Sequence, residues 1–149
     1  MLSVMCKKME TEFIQLNKQW NAEPNDPGEV VEERDGYLSL TFRANPWAYE
    51  GYEEGQKLEL RFYGCSEWRN GETNDEGWYS GQCRFSKIAP RWGEFYEVRG
   101  NTLLKECPND WHRIGSEAGK KHFLFYLRDS TFECKANSYE FIKKKTHNK

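Results

Sequence analysis

YLSLTFR (37–43) and KLELRFYG (57–64) decide the fold. Apolar and polar residues alternate in both, so Leu38, Leu40 and Phe42 share one face, as do Leu58, Leu60 and Phe62. A period of two marks a strand with one side on a core. Asp35-Gly36, just before the first stretch, is a hairpin-type turn signal, and Val30-Val31 opens a short strand ahead of it. Asn45-Pro46 closes the first stretch. Residues 47–56 (WAYEGYEEGQ) then read as a loop, and 65–77 (CSEWRNGETNDEG) as a long polar loop with an Asn70-Gly71 turn. Loops of that length are often functional.

Further along, HFLFYLR (122–128) carries large apolar residues on both faces, as expected of a strand covered on both sides. Asp129-Ser130 turns the chain and TFECKA (131–136) returns. A final short strand lies near Tyr139–Ile142, and short segments at 102–106 and 111–114 are further candidates. At the N-terminus, Met5, Met9, Phe13, Leu16 and Trp20 are spaced as one helical stripe, with Ser3 as N-cap, which predicts an amphipathic helix over about 3–20. The expected fold is mainly β: an antiparallel barrel or sandwich of about seven to nine short strands with one N-terminal helix. It forms a single domain over 1–142, followed by a basic, disordered tail, KKKTHNK, over 143–149.

Composition bounds the core. Leu, Ile and Val number only 18 of 149 residues, against 23 aromatic residues. Large rings bury roughly 150–250 Å² each, so aromatics can replace the missing aliphatics. The formal net charge of -2 excludes a nucleic-acid binder held by net positive charge. The charge is uneven, however: residues 21–59 hold ten acids against three bases, which either line solvated loops or form an acidic face for a basic partner. No segment approaches the ~18 apolar residues of a membrane span. Five cysteines without a C-x-x-C spacing point to buried thiols in a reducing, cytoplasmic setting, not to zinc or disulfides.

The stretch NDEGWYSGQCRFSKIAPRWGEFYEVRG (74–100) concentrates Trp, Tyr and Arg, the residue types that dominate binding hot spots. It reads as strands near 78–86 and 94–100 around Ala89-Pro90. The candidate contact residues are Trp78, Tyr79, Arg84, Arg91, Trp92, Glu94 and Tyr96. No P-loop, G-x-S-x-G, H-E-x-x-H or dinucleotide fingerprint occurs, so no catalytic residue, metal site or cofactor is assigned. His122, opening an aromatic strand, is the choice if a general base is needed. Glutamates beside rings, such as Glu94 and Glu97 near Trp92 and Tyr96, are the weaker case for a glycosidase-type pair.

The run from Asn74 to Val98, with WNAEPN (20–25) and HFLFYLRDSTFEC (122–134), resembles small bacterial proteins with no assigned activity. The resemblance covers most of the chain and implies one domain, with no catalytic residues to carry over. The reading that follows is a soluble, non-enzymatic domain that binds a protein partner through an aromatic and arginine surface, in the manner of an immunity or inhibitor protein. The alternative is a β-barrel binding a small molecule. A hydrolase using a glutamate or His122 is the second alternative. No nucleic-acid or membrane partner is expected.

Overall fold

The alternation read at 37–43 and 57–64 removes Leu38, Leu40, Phe42, Leu58, Leu60 and Phe62 completely from solvent. A computed structural model describes residues 11–71, 91–100, 110–117 and 119–145. These form ten strands and no helix: β1 (Glu12–Gln15), β2 (Val30–Arg34), β3 (Tyr37–Arg43), β4 (Lys57–Tyr63), β5 (Glu67–Gly71), β6 (Phe95–Arg99), β7 (His112–Arg113), β8 (Lys121–Tyr126), β9 (Thr131–Ala136) and β10 (Ser138–Lys143). β2, β3 and β4 form a meander that β10 extends on its β4 side, giving a four-stranded antiparallel sheet ordered β10-β4-β3-β2. The turn between β2 and β3 falls at Asp35-Gly36, where Gly36 has φ of 91°, a value that suits glycine. The other six strands form a second antiparallel sheet, ordered β1-β6-β8-β9-β5-β7.

The two sheets face each other across a layer of rings. Phe62 meets Phe123 at 5.3 Å, Phe132 at 5.5 Å and Phe95 at 6.1 Å between centroids, and Phe42 meets Phe125 edge-on at 5.4 Å. Trp20 closes one end, stacked on Phe141 at 4.5 Å and on Phe42 at 5.8 Å. Each sheet keeps two separate edges, so neither closes into a barrel, and the aromatics fill the space a barrel would have left for a ligand. β8 is covered on both sides, as its sequence implied. Phe123 and Phe125 enter the layer between the sheets. Leu124 and Tyr126 join Tyr96 and Val98 in a second buried cluster on the opposite face, against which Phe13 and Trp92 pack.

Three expectations change. The helix over 3–20 does not extend through the part of it that is described, since residues 12–15 pair with β6 as a strand. Among the described residues the spacing does not mark one face: Phe13 packs in the outer cluster, while Leu16 and Trp20 belong to the layer between the sheets. Residues 3–10 lie outside the described residues. Within the loop expected at 65–77, residues 67–71 are a strand paired with β9 and β7. The tail expected from 143 begins later. Lys143 pairs with Leu58, the Lys144 amide donates to the Lys57 carbonyl at 3.1 Å, and its Nζ lies 3.3 Å from Glu59. The strands expected near 78–86 and 102–106 lie outside the described residues.

Because Phe62 touches three rings of the facing sheet, Phe62→Ala should lower the unfolding free energy by about 3–5 kcal/mol. Trp47, which is 64% exposed, should tolerate replacement by Ala to within about 0.5 kcal/mol. Urea unfolding followed by fluorescence and far-UV circular dichroism measures both.

Candidate functional site

The turn leading into β6 gathers most of the described candidate residues. Gly93 adopts φ of 89°, so the chain reverses there without Cβ strain and delivers Trp92 and Glu94 to the same side of the fold. The Trp92 ring lies 4.9 Å from that of Tyr126. Tyr96 is buried, and its hydroxyl donates to the Arg91 carbonyl at 3.0 Å, which ties the turn to the strand. Burial pushes the Tyr96 phenol up to about 12.

Glu94 is only 7% exposed, yet carries a carboxylate. Three side-chain amides hold its Oε1: Asn17 donates at 2.8 Å, Gln15 at 3.1 Å and Asn21 at 3.3 Å. The same asparagines fix the backbone around it. The Phe95 amide donates to Asn17 Oδ1 at 3.0 Å, and Asn21 donates to the Gly93 carbonyl at 2.7 Å. Among the described residues no hydrogen bond reaches Oε2, whose cationic neighbour is Arg91 Nη1 at 3.8 Å; the Arg91 side chain is 70% exposed. Burial raises the Glu94 pKa, against the pull of the Asn17 amide and the Arg91 charge. Tyr49 is likewise raised, first by burial and then by the Glu94 charge.

Glu94, Trp92 and Tyr126 line a cleft of about 380 Å³ between the segment 21–25, Asn45 and the segment 126–128. Its walls hold two carboxylates, Glu23 and Glu94, against one guanidinium, Arg128. Arg128 is already engaged, with Asp129 at 3.7 Å and Asn25 at 3.4 Å. A cleft of this size is within the range of small-ligand and side-chain pockets.

A second polar cluster lies on the outer face of the six-stranded sheet. His122 Nε2 sits 2.7 Å from Glu133 Oε1, and Arg69 Nη1 donates to Glu133 Oε2 at 3.0 Å. Arg69 in turn donates to Asp110 at 2.8 and 3.2 Å and holds the Asp110 carboxyl below its ordinary pKa. Lys135 bridges Glu67 at 3.3 Å and lies over the Trp111 ring at 5.2 Å. Glu133 is fully buried. A hydrolase using a glutamate or His122 needs that group in a concave site beside a cation such as Arg91. His122 instead meets a carboxylate that Arg69 already neutralises, in a network suited to holding strands together. Glu94 does approach Arg91, but its carboxylate is fastened by structural amides.

Of the seven contact candidates, the structure brings Arg91, Trp92, Glu94 and Tyr96 together. Trp92 and Glu94 line the cleft, Arg91 stands beside Glu94, and Tyr96 is a packing residue. Trp78, Tyr79 and Arg84 lie outside the described residues. Sequence reasoning missed Asn17, Asn21, Gln15 and Tyr126 at this site, and Arg69 and Glu133 at the other. Among the described residues no group of His, Cys, Asp and Glu is placed to hold a metal ion, and no helix is long and apolar enough to cross a membrane. No protein-family model, curated protein sequence or solved structure matches the chain.

Two outcomes follow from these buried charges. A carboxyl with a raised folded pKa binds its proton more tightly folded than unfolded. Its ionisation therefore lowers stability as pH rises from the ordinary carboxylate pKa of about 4.3 to the raised one. Glu94→Gln should thus gain stability relative to wild type as pH rises through that window, and the gain should vanish below it. Urea midpoints across the pH series show this, and a pH-independent difference would contradict the assignment. Glu133→Ala, which removes the carboxylate shared by His122 and Arg69 and leaves Arg69 with Asp110, should cost about 3–5 kcal/mol at neutral pH in the same unfolding measurement.

Proposed function

We propose that the protein is a non-enzymatic binding domain that engages a protein partner through the cleft beside Arg91, Trp92 and Glu94. The observation that carries this reading is the pairing of a ligand-sized cleft with a buried carboxylate whose second oxygen accepts no hydrogen bond among the described residues. Oε2 keeps an open side, so a donor arriving from outside can pair with it without displacing the three amides on Oε1. The surroundings suit a protein contact. Trp92 contributes a ring at the cleft, Arg91 is exposed beside it, and Trp47, 64% exposed, projects from the loop that follows the lining residue Asn45. Trp and Arg are the types that carry most of the energy at protein interfaces.

A small-molecule ligand is the second reading, and the cleft volume favours it. It places the ligand at the rim of the sandwich, because rings fill the space between the sheets.

The test is affinity capture from a native lysate, with photo-crosslinking from position 25 in the cleft wall. Wild type and Glu117→Ala, an exposed position outside the lining, should retain the same crosslinked protein. Trp92→Ala should lose it, and Arg91→Ala, which removes an exposed side chain beside that ring, should weaken it. A crosslinked product that survives both changes would remove the cleft from the contact.

A further inference from the structure

Resting on that reading, we propose that the group which enters the cleft is the ammonium of a lysine side chain from the partner. Three observations on Glu94 and its surroundings select this chemistry.

The first is the sign of the walls. Two carboxylates face one guanidinium, and that guanidinium is half exposed and turned toward Asp129 and Asn25. An anionic group would enter against Glu23 and Glu94, with Arg128 alone among the lining residues to offset them. A neutral apolar group would bury the Glu94 carboxylate further without giving Oε2 a donor, which is unfavourable.

The second is the number of acceptor atoms. An arginine fork is matched to both oxygens of a carboxylate. Here Oε1 already takes three amide donors, from Gln15, Asn17 and Asn21, and only Oε2 accepts none. A single acceptor matches a compact ammonium, a point charge on a flexible stem, better than a planar fork.

The third is the company of rings. Trp92 and Tyr126 line the same cleft, and aromatic walls favour both the methylene stem and the cationic head of lysine. Arg91 approaches Oε2 only to 3.8 Å and is 70% exposed, so it can swing into solvent as the ammonium arrives.

The experiment uses the full chain and three capped amino acids, the N-acetyl methylamides of lysine, arginine and norleucine. Each is titrated by two-dimensional NMR while the Trp92 and Asn21 side-chain signals are followed. The lysine probe should move these signals saturably, and more weakly as salt is raised. The arginine probe should bind about tenfold more weakly, and the norleucine probe should leave the signals in place. Glu94→Gln, which keeps an acceptor oxygen for the three amides, should weaken the lysine probe by about tenfold or more. Should that variant fold poorly, the wild type supplies the same test, because its affinity for the lysine probe should fall as pH is lowered and Glu94 takes up its proton. Norleucine binding as well as lysine, Glu94→Gln binding lysine as well as wild type, or cleft signals unmoved by lysine would each overturn the proposal. Failure here with the Trp92 and Arg91 capture result intact removes only the lysine. Failure of the capture experiment removes the contact itself.

Discussion

Phe62 packed against Phe95, Phe123 and Phe132 joins the two sheets, and the rest of the structure depends on that contact. With so few branched aliphatics, rings share the interior with a short set of leucines, Leu38, Leu40, Leu58 and Leu60 among them. Rings are stiff and wide, and they meet in edge-on and tilted pairs at 5–6 Å, not in interdigitated layers. Such pairs add about 0.5–1.5 kcal/mol beyond their buried area. They also leave irregular margins, and at those margins the chain places asparagines, glutamates and short turns.

Three buried carboxylates show how differently such margins can be settled. Glu59, on β4, accepts from Ser39 at 2.7 Å and lies near Arg61 and Lys144. Burial would raise its pKa, but those three partners outweigh burial and lower it. Glu133 is flanked by His122 and Arg69. Glu94 alone among the three is fastened chiefly by neutral amides. Amides fix position but carry no charge, so the local field at Glu94 stays negative where the other two are balanced. That contrast, more than the presence of aromatics, separates a candidate site from structural ion pairs. A carboxylate meant only to brace the fold is better served by cations held as firmly as Arg69 is.

The strands most legible in the sequence were β3, β4 and β9, with an alternating apolar face and a nearby turn signal, and β8, apolar on both faces; β2, β6, β7 and β10 were legible as short strands near 30–31, 94–100, 111–114 and 139–142. β1 was hidden because Phe13, Leu16 and Trp20 sit at spacings that a helix would also align, and only pairing with β6 reveals that they part to opposite sides. β5 was hidden because EWRNG has one apolar residue. Its Glu67 and Arg69 point to a face whose partners, Glu133 and Lys135, come from β9. At the cleft, residue type alone nominated Arg91, Trp92 and Glu94. It could not find Asn17 and Asn21, which reach Glu94 across separations of 77 and 73 residues. The same clustering by type also nominated Tyr96, whose ring is interior. The period-two run Thr131, Glu133, Lys135 was the available hint of the second polar cluster, and it needed His122 on the adjacent strand to become meaningful.

The strand order of the larger sheet has a consequence for how the chain is made. β5 has its two partners, β9 and β7, later in sequence, and β6 gains its second neighbour only with β8. The meander β2-β3-β4 can assemble as it emerges from the ribosome, with its apolar side open. The facing half of the interior arrives with Phe123, Phe125 and Phe132. Between those moments the nascent chain displays Leu40, Phe42, Leu60 and Phe62 to whatever is nearby, and non-local pairing of this kind is slow. This topology leaves an apolar sheet face uncovered until late in synthesis, however stable the finished sandwich becomes.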